Sequence, residues 1–220
     1  MNTIGRYVFH AFVSFVAVTA GLMHPGFLGA TETIDAVLAV IDQNPILQSD
    51  LELAALVGIN PPSSSDSSTR VDPLSARIRL ELQYLDLVSS GSLHRLDIDI
   101  SQQLQAMMAF AGGEDRLREI LPTKGLEWED VEGLALRLAG VHAWVERHLR
   151  PRVTVSIRDV EEAYRRVILE PMGNSDVPPP SLTHVNEQLR QLVLEEKLNT
   201  EIERWTLQAR ERHRVIRFVE

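Results

Sequence analysis

AVLAVIDQNPILQSDLE, residues Ala36–Glu52, decides how the chain is closed. Ala36 to Ile41 (AVLAVI) is an apolar, β-branched run of strand length, and Asp42, Asn44 and Pro45 behind it are turn formers. Ile46-Leu47 is too short to be an independent strand. Ser49-Asp50-Leu51-Glu52 reads as a capping box, in which the Ser49 hydroxyl accepts from the Glu52 amide and the Glu52 carboxylate reaches back. A helix is expected from there to about Val57. A lone strand cannot satisfy its backbone groups or bury a face. The other strand-like run is VIRFV, Val215–Val219, at the far end of the chain. The economical fold pairs AVLAVI with VIRFV, and AVLAVI then needs no hairpin of its own.

Nearly everything between the two runs reads as helix. Asp72-Pro73 supplies an N-cap and a proline at the first helical position, and Ile78, Leu82 and Leu85 recur until Ser89-Ser90-Gly91. Leu80, Tyr84 and Leu87 form a second apolar row, so this helix is expected to be buried on more than one side. Asp99 or Ser101 caps the next helix, whose stripe Leu104, Met107, Met108 and Ala111 ends at Gly112-Gly113. Glu114–Leu121 is a short helix stopped by Pro122. Val131, Leu134, Leu138, Val141, Val145 and Leu149 step by three or four, the clearest amphipathic pattern in the chain.

Val153-Thr154-Val155 bridges to a second Ser-x-x-acid start at Ser156, with Val160, Ala163, Tyr164 and Val167 behind it. The last helix carries Val185, Leu189, Leu192, Ile202 and Trp205, with Glu196/Thr200 and Lys197/Glu201 as expected pairs on its solvated face. Two stretches, 60–72 (NPPSSSDSSTRVD) and 170–181 (EPMGNSDVPPPS), lack periodicity and read as linkers inside one domain, 31–220. The expected fold class is mainly α, a helical body with N- and C-terminal strands paired in a small β element.

Residues 1–30 differ from the rest. A short start with Arg6 precedes VFHAFVSFVAVTAGLM, an apolar run without acidic residues, which is the layout of a secretory signal peptide. Cleavage sites are offered after Ala20 and after Ala30, the first fitting the small-x-small preference better. The competing reading is a retained anchor, but Tyr7–Met23 reaches only the lower limit of about 17 residues for a membrane span, and His10 and Ser14 weigh against it. No stable span is expected once the signal is removed. With no cysteine, disulfides, thiolate metal sites and cysteine nucleophiles are excluded, which suits export into a bacterial periplasm. The net charge of -9 argues against nucleic acid as the main partner, since phosphate binding needs clustered Lys and Arg.

Motifs for dinucleotide, phosphate or serine-hydrolase chemistry are absent from the sequence. His142 and Glu146 are one helical turn apart but lack a third ligand, so no metal and no cofactor is expected. Glu127, Glu129 and Asp130 belong to a helix's first turn, where acids oppose the dipole, and Arg147, Arg150 and Arg152 complement it at the other end. Met107-Met108 with Phe110 is the one apolar feature that supports a functional hypothesis: methionine surfaces adapt to many apolar sequences, although the same residues also fill cores. Trp128, Trp144 and Trp205 are expected to be core or half-buried, with one of them lining a groove.

The quoted opening stretch resembles the start of the SurA family of periplasmic chaperones, in which a Val-rich strand, a short Asn or Asp turn, an Ile and then Ser-Asp-Leu lead into the first helix. RVTVSIRDVEEAYRR, Arg152–Arg166, resembles the end of that family's N-terminal module. EKLNTEIERWTLQARERHRVIRFVE, Glu196–Glu220, is similar to its C-terminal helix and closing strand. Where such proteins often carry parvulin-type prolyl isomerase domains, this chain has only EPMGNSDVPPPS, and His184 at a helix start is no substitute. The resemblance implies a periplasmic, ATP-independent chaperone module that binds unfolded or partly folded envelope and outer-membrane proteins, without isomerase activity. Leu104, Met107, Met108 and Phe110 are the candidate peptide-binding residues. The alternative is a structural or assembly subunit with one fixed envelope partner; client identity and oligomeric state stay open.

Overall fold

The computed structural model describes residues 35–59, 72–173 and 178–218. The signal segment 1–30, most of the 60–72 linker, residues 174–177 of the second linker and Val219 lie outside the described residues. All described residues belong to one unit, Thr33–Glu220. It is mainly helical, with one small antiparallel sheet made from the two ends of that unit. No helix among the described residues is long and apolar enough to cross a membrane.

The sheet joins β1 (Val37–Ile41), β2 (Asn44–Leu47) and β3 (Val215–Arg217) in the order β2-β1-β3. The terminal pairing is as expected, with Ile41 opposite Val215, Val40 opposite Ile216 and Ala39 opposite Arg217. The expectation that β1 lacks a hairpin partner is corrected: Asn44–Leu47 folds back on it, with Ile41 opposite Asn44 and Ala39 opposite Ile46. Asp42 makes the tight turn possible by adopting a left-handed conformation, φ 55, which Asp tolerates better than most side chains. Pro45 is accommodated because β2 is an edge strand, where a missing donor costs little.

Ala39, Ile41 and Ile46 are fully buried against Leu74, Ile78 and Leu82 of α2 (Pro73–Ser89) and Ala209 of α8 (Leu182–Arg212). Removing each Ile from water contributes about 1.5–3 kcal/mol. The hairpin turn also locks onto the end of α8. The Asp42 amide donates to the Arg214 carbonyl at 2.9 Å, while the Asp42 carboxylate accepts from the Arg214 amide at 2.8 Å and meets His213 Nδ1 at 2.7 Å.

Helix α1 (Gln48–Leu56) begins one residue before the expected box. The Gln48 amide is held by the Ala36 carbonyl as β2 runs straight into the helix, so the cap falls on Leu47, whose amide donates to Asp50 at 2.8 Å. Ser49 instead donates to Asp35, and Glu52 reaches Lys124 at 3.1 Å. The α2 start is as read: Asp72 accepts from the amides of Leu74 and Ser75, with Pro73 at the first position.

α2 is the central strut. One side faces the sheet, and Leu87 enters a second cluster with Val145, Leu149, Leu198 and Trp205. Glu81, only 3% exposed, accepts from Arg77 at 2.7 Å and from Arg137 of α5 (Trp128–Trp144) at 2.9 Å, and Arg77 also reaches Asp50 at 3.3 Å. Asp86 accepts from Trp205 Nε1 and Arg212 Nε, both at 2.8 Å, and Gln83 donates to Thr206 at 2.7 Å. Buried charges need such partners, because an unpaired ion in a low-dielectric interior is strongly destabilising.

α3 (Ser101–Ala111) and α4 (Glu114–Ile120) pack with α1 and α5 around Leu53, Leu117, Val131 and Leu134. α5 runs on through a π-helical turn, Val145–Leu149, to Pro151, which ends it. α6 (Ile157–Tyr164) starts on the Ser156–Asp159 capping box and continues through a π-helical turn, Arg165–Leu169, into a single turn, α7 (Glu170–Met172), so the expected linker starts later than residue 170. α6 meets α8 over Val160, Ala163, Leu189 and Val193.

The pairs expected within α8 are corrected. Lys197 donates across to Asp159 at 2.6 Å and to the Thr154 carbonyl at 3.1 Å, Glu201 pairs with Arg204, and Glu196 with Arg166. Thr200 donates to the Glu196 backbone carbonyl. Once α6 packs beside α8, its opposite charges lie closer than the next turn of the same helix.

Candidate functional site

α3 carries all four sequence-derived candidates, and its C-terminal end is set by Gly112 in the left-handed conformation, φ 90. The Gly113 amide donates to the Met108 carbonyl at 2.8 Å, closing the last turn. Residues 104, 107, 108 and 111 form the face turned to the core. Met107 is 2% exposed and Ala111 is buried, while Leu104 and Met108 are half-buried and packed against the same cluster.

Phe110 stands apart, 65% exposed. It belongs to the neighbouring row Gln103, Ala106, Met107 and Phe110, which follows helical spacing and lines a concavity of about 420 Å3. Leu138 and His142 of α5 and Val57, Gly58 and Ile59 after α1 complete the wall. The structure thus brings Met107 and Phe110 to one surface and places Leu104 and Met108 behind it.

Gly58 fixes the geometry. Its φ of 77 lies in the left-handed region, and a Cβ added there would sit 2.5 Å from the Phe110 ring carbons. The ring therefore rests on bare backbone, which only glycine provides. Sequence reasoning missed Gly58, Gln103 and Ala106 and weighed His142 only as a metal ligand. The i, i+3, i+4, i+7 spacing of Gln103, Ala106, Met107 and Phe110 was available, but a row with one large apolar residue on its outer side gives almost no periodic signal.

The concavity is walled mostly by apolar atoms, with Gln102, Gln103 and His142 as its hydrogen-bonding side chains. Its volume falls within the range of about 300–1,000 Å3 typical of ligand sites, enough for an apolar side chain or two of an extended segment. His142 is exposed, and Glu146 is engaged by Arg150 at 2.7 Å instead of pairing with it. No group of three His, Asp or Glu side chains suited to a metal ion occurs among the described residues. The first-turn acids behave as expected of caps: Asp130 accepts from the Glu127 amide at 2.8 Å. Asp99 accepts from Ser101, and those hydrogen bonds hold its carboxyl below the usual carboxylate range.

The tryptophans are buried or half-buried as expected, but more than one of them lines a cavity. Trp128 is half-buried beneath the Arg118 guanidinium, 3.9 Å from its ring centre, and Trp205 is buried. Trp144 stacks on His148 at 3.8 Å and, with Trp205, lines a second cavity of about 670 Å3 between α2, α5 and α8.

No protein-family model matches the chain, and no curated protein matches it. The functional reading therefore rests on the residues and their arrangement.

Proposed function

We propose that the chain is an exported, ATP-independent chaperone module of SurA-like design, holding unfolded or partly folded outer-membrane and other envelope proteins without prolyl isomerase activity. One observation carries the reading: an exposed Phe110 at the lip of an apolar concavity whose floor, Met107, belongs to the core. A large aromatic left this exposed beside a preformed apolar hollow suits transient capture of apolar side chains from an extended client. Met107 adds a polarizable, adaptable floor, and Leu104 and Met108 hold the helix in place from behind. Binding of this kind is weak at each site, because ordering a disordered client offsets much of the contact energy. The acidic surface keeps the complex soluble.

The test is suppression of aggregation of several unrelated, purified, urea-diluted outer-membrane proteins, with no nucleotide or metal added. The protein is expected to slow light-scattering growth for all of them, and Phe110→Ser to lose most of that effect while keeping its melting temperature. No effect on any client, together with one tight partner recovered from the envelope, would replace the chaperone reading with the fixed-partner subunit. Catalysed isomerisation of a short proline peptide would overturn the assignment as a non-enzyme.

A further inference from the structure

β3 has an unpaired side among the described residues, since the strand order is β2-β1-β3. The register fixes which groups it presents. The Phe218 amide donates to the Leu38 carbonyl and the Arg214 carbonyl accepts from Asp42, so residues 214, 216 and 218 turn their backbone groups toward β1. Antiparallel alternation then directs the amide and carbonyl of Val215 and of Arg217 outward. The side chains of the same two residues line a groove of about 280 Å3 between α2 and α8.

Ile78, Leu82 and Leu207 give that groove an apolar lining, and Leu207 is 63% exposed. Arg79, Arg210 and Arg217 stand around it against a single acid, Glu203. Arg217 is held by Asp72 at 2.8 Å, whereas Arg79 and Arg210 form no ion pair among the described residues. In a chain of net charge -9 this is a locally basic, apolar groove running beside an open strand edge.

We propose that the β3 edge is a strand-addition site for an extended polypeptide segment that carries both apolar and acidic side chains on its groove-facing side, at every second residue. Its backbone pairs with Val215 and Arg217, its apolar side chains lie over Leu82 and Leu207, and its carboxylates meet Arg79 and Arg210. Strand addition takes affinity from main-chain hydrogen bonds and selectivity from the pockets for alternate side chains. Charge decides against a second copy of this chain as the occupant: edge-to-edge pairing would set the same arginines against one another. The site shares no residue with the α3 concavity and does not rest on it.

The test uses the full chain and two end-blocked synthetic peptides, one with valine and aspartate taking turns at every second position between threonines and one with every aspartate replaced by lysine. Fluorescence anisotropy is expected to show the lysine peptide binding at least about tenfold more weakly, a difference that shrinks with salt. Amide exchange followed by NMR should slow at Val215 and Arg217 when the aspartate peptide is added. Leu207→Asp should abolish binding without altering the melting temperature, the double variant Arg79→Glu/Arg210→Glu should reverse the peptide preference, and Phe110→Ser should leave both unchanged. Equal binding of the two peptides, or exchange at Val215 and Arg217 unmoved by saturating peptide, overturns the proposal. Protection of those two amides that grows with protein concentration alone would also overturn it, in favour of a second copy.

Discussion

The sheet closure and the α3 concavity use apolar residues in opposite ways. At the closure Ala39, Ile41 and Ile46 have no exposed surface, and the chain ends are joined by hydrogen bonds spanning most of the sequence, such as Asp42 with Arg214. At α3 the core row is just as buried at Met107, but the next row turns Phe110 to solvent over Gly58. One region spends its apolar surface on stability; the other leaves some uncovered. Substitutions that cost folding should therefore cluster at the sheet and α2, and those that cost only binding at the outer row of α3.

The largest effect is expected from deleting Val215–Glu220. It removes β3, one of the two partners of β1, along with the Phe218 amide that donates to the Leu38 carbonyl. The melting temperature should fall and unfolding should lose cooperativity; an unchanged thermal transition would contradict the closure. Ile41→Ala should destabilise by about 2–5 kcal/mol in urea titration, because the site is enclosed by sheet and helix and collapses poorly.

Asp86→Ala comes next. It leaves the Trp205 indole N–H without its buried acceptor and cuts the tie from α2 to Arg212, an expected loss of about 1–3 kcal/mol. A loss confined to a few tenths would show that water replaces the carboxylate.

Acid should loosen the closure and the α6–α8 contact gradually. The His213 side-chain bond and the Arg214 amide hold the Asp42 carboxyl below its usual range, and Lys197, followed by Ser156, does the same for Asp159. A carboxyl whose folded value is depressed contributes stability above the unfolded value of about 4 and loses it as pH falls through the folded value. The melting temperature should therefore decline below about pH 4. Asp42→Asn should reduce that decline, and an identical pH profile would remove Asp42 from the account. The smallest effect on stability is expected for Phe110→Ser, within about 0.5 kcal/mol of the parent.

Much of the fold was legible because its signals are local. The Asp72-Pro73 cap, the Ser156–Asp159 box, the Gly112 stop and the apolar period of α5 all lie within a few residues of the structure they specify. β2 was not legible, since two apolar residues after a proline acquire strand character only when β1 is beside them. The Ser49 box misled because Asp35, outside the motif, offers Ser49 another carboxylate and Asp50 takes the cap amide. Nor could spacing reveal that Glu81 is buried between Arg77 and Arg137: charged residues on a helix read as solvated until a distant element covers them. At the candidate site Leu104, Met107 and Met108 read alike as groove or core, and only three-dimensional packing separates Phe110 from them.

The most direct test of the central claim places a photo-crosslinking amino acid at residue 110, with a matched probe at exposed Arg190 on α8 as control. The protein is then illuminated with each of several purified, unrelated, unfolded outer-membrane proteins. Crosslinks from residue 110 to all of them, with little from residue 190, are the predicted result. Equal crosslinking from both positions, or none from residue 110, would contradict a client-binding surface on α3.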